Sequence, residues 1–126
     1  MDENQLSNII IGAAIEVHQT LGGPGLLECV YEEALLWELL QNNLIVQRQK
    51  VIPIQYKDIK LGNPLKIDLI VNDLIIVECK ACVSMHEAFE AQLLTYLRLT
   101  GLKLGLLINF GEKLVSQGIR RVVNGL

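Results

Sequence analysis

The amino-acid sequence predicts an α/β fold in which a mixed β-sheet is flanked by helices. Three observations support it: two helical patterns come first, three strand patterns follow them, and a helix and an apolar strand come last. That later helix is long enough to carry the chain across the sheet to a parallel strand. Because 126 residues suffice to bury a core, we expect one domain over residues 1–126.

The first third of the chain is expected to form two helices. From Glu3 to Leu21, apolar residues recur every three or four positions, which is typical of an amphipathic helix, and the sequence LGGPG then ends it. A second helix is expected from near Gly25 to about Asn42. Its buried stripe is expected to comprise Leu27, Val30, Ala34 and Trp37.

Three strands follow as a meander. The alternating, β-branched segment from Ile45 to Tyr56 predicts the first strand, with Pro53 at an edge or a bulge. Leu65 to Val71 and Leu74 to Lys80 predict the next two strands around an Asn-Asp turn.

The last elements are a helix and a central strand. From His86 to Thr100 the sequence has strong helix formers and a mostly apolar circumference, so we expect a largely buried helix that Gly101 terminates. Leu104 to Phe110 is a short apolar run, which is typical of a central strand, and the remainder through Val123 has no clear pattern.

Three charged residues, Asp68, Glu78 and Lys80, stand in otherwise apolar strands. A two-residue turn would mix charged and aliphatic side chains on both faces of this hairpin, whereas a three-residue loop, Asn72 to Leu74, sorts them. In that register Asp68 lies opposite Glu78, with their Cβ atoms about 5 Å apart. One face then collects Ile67, Leu69, Val71, Ile75, Val77 and Cys79, and the other collects Lys66, Asp68, Ile70, Ile76, Glu78 and Lys80.

This charged cluster has two interpretations. Paired carboxylates suit a hard divalent ion such as Mg²⁺, which takes one or two protein carboxylates and keeps waters and phosphate in its other positions. A neighbouring lysine is then placed to orient an attacking water and to stabilise charge on a phosphodiester. The alternative is a solvated sheet face with an ordinary salt bridge.

Charge is distributed unevenly along a chain whose net charge is −3. All eleven Lys and Arg lie at or after Arg48, whereas seven acids precede it, so the later part is mildly basic and permits a nucleic-acid partner. No apolar run reaches the ~18 residues of a membrane span. The acidic N-terminal residues also lack a secretory-signal pattern, so we expect a cytoplasmic protein with no membrane partner.

The three cysteines are expected to be reduced and to pack as small hydrophobes, because Cys29, Cys79 and Cys82 are an odd number. A zinc or redox site remains an alternative, since Cys79 and Cys82 form a CxxC. The further candidates His18 and His86 show no paired spacing for it.

Two motifs resemble those of a known superfamily. The spacing of Asp68, Glu78 and Lys80 resembles the D-x(n)-ExK signature of PD-(D/E)XK nucleases, and GLLECVY at residues 25–31 resembles the motif of its GxxExxY branch. The similarity extends from IGAAIEVH through AQLLTYLRLTG to GLLINF. The resemblance implies a restriction-endonuclease-like core and metal-dependent hydrolysis of nucleic acid, with DNA as the expected substrate.

The resemblance also implies roles for individual residues. Asp68 and Glu78 would bind Mg²⁺ or Mn²⁺, and the Cys79 backbone carbonyl would add a ligand. Lys80 would assist the attacking water. Glu28 would be a catalytic acid that reaches the metal from a helix, although from the residues alone it is equally an acid favoured by the dipole of a helix's first turn.

Substrate contacts are expected from a second group of residues. Gln92 and Tyr96 match a QxxxY element and share one helix face, where they would touch substrate or support the lysine. The alternative is a buried helix with one satisfied amide. Tyr31 is expected at the substrate or in the core. Phe89 stands where the family frequently has His, and Ile67 replaces the proline before the first acid.

Three functions therefore stay open from the sequence. The first is a metal-dependent nuclease, for which a homodimer is open because a small domain often needs a second subunit to contact a duplex. The second is a catalytically inactive module of the same fold that binds nucleic acid or a protein. The third is a structural oligomer whose charges decorate its surface.

Overall fold

Five strands form one mixed sheet in a computed structural model that describes residues 1–126. The helices are α1 (Glu3–Thr20), α2 (Glu28–Gln41) and α3 (Glu87–Thr100). The strands are β1 (Val46–Ile52), β2 (Gln55–Tyr56), β3 (Ile59–Lys60), β4 (Leu65–Val71), β5 (Ile75–Lys80), β6 (Leu104–Asn109) and β7 (Ile119–Val123), and a 3₁₀ turn spans Val115–Gly118. The sheet has the order β1-β4-β5-β6-β7, while β2 and β3 pair only with each other.

The predicted α/β fold class is confirmed. Strands β1, β4 and β5 are consecutive antiparallel neighbours, and α3 then crosses to β6, which pairs with β5 in parallel. Every residue of β6 is buried, as expected of a central strand. The unpatterned C-terminal part forms β7, antiparallel to β6. None of the three helices combines the length and apolar character that crossing a membrane requires.

Helices cover both faces of the sheet. The larger apolar cluster joins α1 and α2 to one face, and its members include Leu6, Ile10, Tyr31, Leu35, Leu39, Leu69, Val71, Val77 and Phe110. The smaller cluster joins α3 to the other face through Ile67, Ile70, Ile76, Leu93, Leu97 and Leu107. Asp68, Glu78 and Lys80 therefore lie in a sheet that is packed on both faces.

The helix starts follow from their capping residues. The side chain of Asp2 accepts from the backbone amide of Gln5 while the Gln5 side chain accepts from the Asp2 amide, a capping box that begins α1. His86 caps α3 by accepting from the Ala88 amide, and Gly101 ends that helix with a φ of 78°.

Two predictions about helix burial are wrong. In α2 the buried row is Tyr31, Leu35 and Leu39, whereas Leu27 and Trp37 of the expected stripe are 73% and 58% exposed. This helix has two apolar rows, and only one of them can face the sheet. In α3 only Leu93 and Leu97 are buried, so that helix lies on the surface with one apolar stripe against the sheet.

The first strand is shorter than predicted. It ends at Ile52, because Pro53 has no amide hydrogen to extend the ladder. The chain then forms the separate β2–β3 hairpin before it returns to the sheet at Leu65.

The hairpin register predicted for β4 and β5 is confirmed. Val71 pairs with Ile75 and Leu69 with Val77 across the three-residue loop of residues 72–74. Asn72 and Asp73 both adopt positive φ, which these two residue types tolerate better than most.

Candidate active site

The site begins where β4 and β5 part. Their backbone pairing ends at Leu69 and Val77, and beyond that point two carboxylates replace the missing backbone partners. The Asp68 amide donates to Glu78 Oε2 at 3.0 Å, and the Cys79 amide donates to Asp68 Oδ2 at 2.9 Å. Each acid is thus fixed to the opposite strand.

The face assignment predicted for Ile67 is wrong. It packs with Ile70 on the α3 side, whereas Leu69 packs on the α1–α2 side. Strict alternation would place Ile67 and Leu69 together, so the pleat is interrupted at Asp68. Opposite Asp68 in β1 stands Gln49, whose φ of 52° is left-handed. This irregularity in β1 accompanies the opening of the sheet.

The surroundings of Glu78 disfavour the charged form of its carboxyl group. Its side chain is 5% exposed. Burial raises its pKa to about 9, and the charge of Asp68 and a hydrogen bond with the Asp68 carboxyl add to this shift, against the opposing effects of the Asp68 amide and Lys80. Glu78 is therefore a buried carboxyl group with a raised pKa beside Asp68, and its burial excludes a solvated sheet face with surface charges.

Lys80 ends β5 on the α3 side of the site. Its Nζ lies 4.5 Å from the centroid of the Phe89 ring, a cation–π contact. The chain has two salt bridges, and Lys80 takes part in neither. Phe89 thus supplies an aromatic face for the ammonium group.

The QxxxY pair lies on α3 near these groups. Burial raises the pKa of Tyr96, and the charges of Glu78 and Asp68 raise it further, so the phenol is within electrostatic reach of both acids. Gln92 is exposed one turn earlier, and α3 is not the buried helix of the alternative interpretation.

A second set of contacts reaches Asp68 from the α2 side. Gln49 Nε2 donates to Glu32 Oε1 at 2.8 Å and lies 3.4 Å from Asp68 Oδ1. Arg48 Nε donates to Glu32 Oε2 at 2.9 Å. Burial raises the pKa of Glu32, while its bond to Arg48 opposes that shift. The Gln49 amide thus stands between two carboxylates and links Asp68 to an ion pair of which Glu32 is buried and Arg48 is exposed.

Sequence reasoning missed Glu32, Arg48 and Gln49. No sequence signal marked Glu32, because it lies with Leu35 on the row of α2 that was not expected to be buried. In the structure it is an acid on a buried face, and such an acid needs a partner.

A cavity of about 350 Å³ opens beside Asp68. Its lining residues are Leu27, Glu28, Cys29, Glu32, Gln49 and Asp68. Partial burial raises the pKa of Glu28, with the charge of Lys80 opposing and that of Asp68 adding. Glu28 therefore faces the site, but no three acidic, histidine or cysteine side chains converge closely enough to hold a metal ion together. The structure brings Asp68 and Glu78 together and leaves Glu28 at the edge.

Tyr31 does not reach the site. It is fully buried and stacks on Phe110 with ring centroids 4.7 Å apart. Its hydroxyl donates to the Gly23 carbonyl at 2.7 Å and accepts from the Leu26 amide at 3.2 Å. Tyr31 therefore fixes the loop that precedes Glu28. It has no exposed surface that could contact a substrate.

The GxxExxY spacing has a physical basis in this loop. Gly25 has a φ of +115°, which L side chains rarely adopt. Glu28 then begins α2, and Tyr31, one turn later, bonds back to the loop.

The expectation that all three cysteines pack as small hydrophobes is wrong for Cys29, and no three Cys, His, Asp or Glu side chains gather where they could hold a metal ion. All three are free: Cys29 is exposed, Cys79 is buried in the larger cluster, and Cys82 is half-buried. Burial raises the pKa of Cys79 well above its usual value, which leaves its thiol protonated. His18 bonds instead to the Phe110 carbonyl at 3.1 Å, and His86 caps α3.

The donor set fits a hard divalent ion. Mg²⁺ and Mn²⁺ prefer carboxylate oxygens, and Mg²⁺ takes one or two of them. Asp68 and Glu78 supply such a pair, and a cation bound by both would relieve the repulsion that helps to raise the pKa of Glu78. With the Cys79 side chain in the core, that residue has only its backbone carbonyl to offer.

Comparison with known proteins agrees with this geometry. A model of the PD-(D/E)XK nuclease superfamily matches residues 4–122, which include Asp68, Glu78 and Lys80. Searches of curated proteins and of solved structures find no match.

Proposed function

The chain belongs to the PD-(D/E)XK nuclease superfamily, and from that premise we propose that it is a metal-dependent nuclease that hydrolyses phosphodiester bonds of DNA. Membership indicates a nuclease-type function, and the metal and the DNA substrate are the proposed part. One observation carries the proposal: the Asp68 and Glu78 carboxyls meet where β4 and β5 separate, two residues before Lys80.

Asp68 and Glu78 are proposed as the residues that hold Mg²⁺ or Mn²⁺, with the Cys79 carbonyl as a further ligand. When bound, such an ion activates water and neutralises charge on a phosphodiester. For this role Glu78 must release the proton that burial and Asp68 keep on its carboxyl. The amide bonds that fix both acids to the opposite strand hold their oxygens in place before any ligand arrives.

Lys80 is proposed to orient the attacking water and to stabilise the charge that develops on the phosphate. Its cation–π contact with Phe89 leaves the donors of the ammonium group available. Glu28 is proposed to act from the edge of the site, as an acid beside the cavity rather than as a close ligand. Gln92 and Tyr96 are proposed to contact the substrate from α3.

The proposal also covers the branch of the superfamily and the domain organisation. We assign the chain to the GxxExxY branch, supported by the roles of Gly25, Glu28 and Tyr31 in the loop before α2. We further propose that residues 1–126 act as one nuclease domain, because both apolar clusters share one sheet. Cytoplasmic location and a homodimer stay predictions.

The test is cleavage of labelled single- and double-stranded DNA in Mg²⁺ or Mn²⁺. Asp68→Asn keeps an oxygen for the Cys79 amide but removes the charge, and Lys80→Met removes the ammonium group. We expect both to lose cleavage by roughly 100-fold or more. Asp73→Asn, at the loop end of the same strands, is the matched control and should cleave like wild type.

Equal cleavage by wild type and both site variants would reject this mechanism. Nucleic-acid binding without cleavage by wild type, together with no metal binding in calorimetry, would favour the inactive binding module instead.

A further inference from the structure

The β2–β3 hairpin contributes little to the core. Residues 55–64 are all exposed, and none belongs to either apolar cluster. Its strands β2 and β3 pair only with each other through backbone hydrogen bonds. The Leu61 amide extends this pairing by donating to the Ile54 carbonyl at 2.9 Å. An isolated two-stranded hairpin is marginally stable in water. Burial therefore does not explain why the chain carries this hairpin.

The hairpin and its base are strongly cationic. Residues 50–66 contain four lysines and one acid, within a chain of net charge −3. None of these lysines takes part in either salt bridge. At the tip, Lys57 Nζ lies 5.4 Å from the centroid of the Tyr56 ring, which is itself 54% exposed. The lysines are Lys50, Lys57, Lys60 and Lys66.

The hairpin projects from the active-site end of the sheet. Because β4 is antiparallel to β5, β4 starts at the end where β5 stops with Lys80. The last pair before the hairpin joins Ile52 to Leu65, three residues before Asp68 and thus about 10 Å from it along the strand. That length equals about three nucleotides along one strand of a duplex.

We propose that this hairpin binds the phosphate backbone of the nucleic acid beside the cleaved bond, with Lys57 and Lys60 as the contacting residues. The inference rests on the proposed nuclease function and adds the surface that binds substrate. The ammonium groups of exposed lysines attract the phosphate charges of a polynucleotide. Without this hairpin, the acidic groups around Asp68 would repel such a substrate.

The experiment measures binding separately from cleavage. Fluorescein-labelled 20-nucleotide DNA, single-stranded or duplex, is titrated with protein in EDTA and followed by fluorescence anisotropy across a salt series. Lys57→Gln/Lys60→Gln should weaken binding roughly tenfold and reduce the slope of log K against log salt by about 1.5. Comparing the two DNA forms shows which one the hairpin prefers.

The matched control is Arg98→Gln/Lys103→Gln, which removes two exposed charges at the opposite end of the sheet. It should bind within about twofold of wild type. The hairpin variant should keep its kcat at saturating DNA while its KM rises, whereas Lys80→Met should lose cleavage.

Two results would overturn the inference in distinguishable ways. If wild type binds and cleaves but the hairpin variant binds like the control, the hairpin is not the contact and the nuclease proposal stands. If wild type neither binds nor cleaves DNA, the proposed function fails and this inference fails with it.

Discussion

The two halves of the β4–β5 hairpin use the same pair of strands for different purposes. In the loop half, backbone bonds join Leu69–Val71 to Ile75–Val77, and all six side chains are buried and apolar. In the open half, the backbone ladder is absent, and Asp68 and Glu78 bond to the opposite strand's amides. The loop half stabilises the fold, whereas the open half holds a pair of carboxyl groups of which Glu78 is disfavoured in its charged form.

The difference shows how a small domain can tolerate a buried acid pair. Removing two carboxylates from water costs several kcal/mol unless they are paired, hydrogen-bonded or protonated. Here the strands separate only after three residue pairs have formed, so the loop half fixes the register that brings the acids together.

The largest expected effect comes from breaking the loop half. Leu69→Ala removes a fully buried side chain, and we expect it to lower the free energy of unfolding by about 3 kcal/mol, since the core closes only partly around the cavity. Chemical denaturation measures this. Its neighbour Asp68→Asn should change stability by less than about 1 kcal/mol while abolishing cleavage, and equal destabilisation by both variants would refute the contrast.

The next largest effect is a pH-dependent stabilisation by Glu78→Gln in metal-free buffer. The pKa of Glu78 rises from 4.5 to about 9 on folding, so between these pH values the folded state keeps a proton that the unfolded state has lost. Stability of wild type should therefore fall as pH rises through this range.

The glutamine variant lacks this penalty and still offers an oxygen to the Asp68 amide. We expect it to match wild type at pH 4 and to exceed it by about 1 kcal/mol or more at pH 8. Asp73→Asn removes one charge from the exposed loop and should show no such pH dependence. A stability difference that stays constant from pH 4 to 9 would contradict the buried, protonated acid.

A smaller effect is expected from Gln49→Met, which keeps the side chain's length but removes the amide between Glu32 and Asp68. Because the Asp68 carboxylate then loses a positioning contact, kcat should fall about tenfold with KM nearly unchanged. Gln47→Met makes the same change two residues earlier in β1 and should cleave normally. If the two variants had equal kinetics, Gln49 would have no role in positioning Asp68.

The smallest effect is expected from Phe89→Leu, which keeps apolar bulk but removes the ring beneath Lys80. Cation–π contacts at partly exposed sites contribute about 0.5–1 kcal/mol, so cleavage should fall two- to fivefold. Phe89→Tyr should restore it. If Phe89→Leu were as active as wild type, the contribution of Lys80 to cleavage would not depend on its contact with an aromatic ring.

The order of the helices and of strands β1, β4, β5 and β6 could be predicted from sequence, whereas the separate β2–β3 hairpin and β7 could not. The β4–β5 register could also be predicted, because apolar alternation between Leu69 and Val77 decides which residues pair around Asn72–Leu74. The buried row of α2 could not be predicted from sequence, because Leu27, Val30 and Trp37 form an apolar row as continuous as that of Leu35 and Leu39. Which row faces the sheet depends on tertiary packing.

The pairing of Asp68 with Glu78, the two acids proposed to bind metal, was predicted on the same pattern, but its surroundings were not. Gln49 contacts Glu32 across 17 residues of sequence and Asp68 across 19, and no periodic pattern links such positions. The break in side-chain alternation at Asp68 could not be predicted either. It accompanies the left-handed backbone of Gln49 in the neighbouring strand, and no residue of β4 signals it.

Isothermal titration calorimetry of Mn²⁺ binding, repeated at pH 7 in buffers of different ionisation enthalpy, tests the central claim most directly. Because Glu78 keeps its proton in the metal-free protein, wild type should bind the ion and release about one proton, Glu78→Gln should release none, and Asp68→Asn should bind far more weakly. Wild-type binding that is absent, or that is unchanged in both variants, would contradict the proposal that the opened end of this hairpin is a metal site.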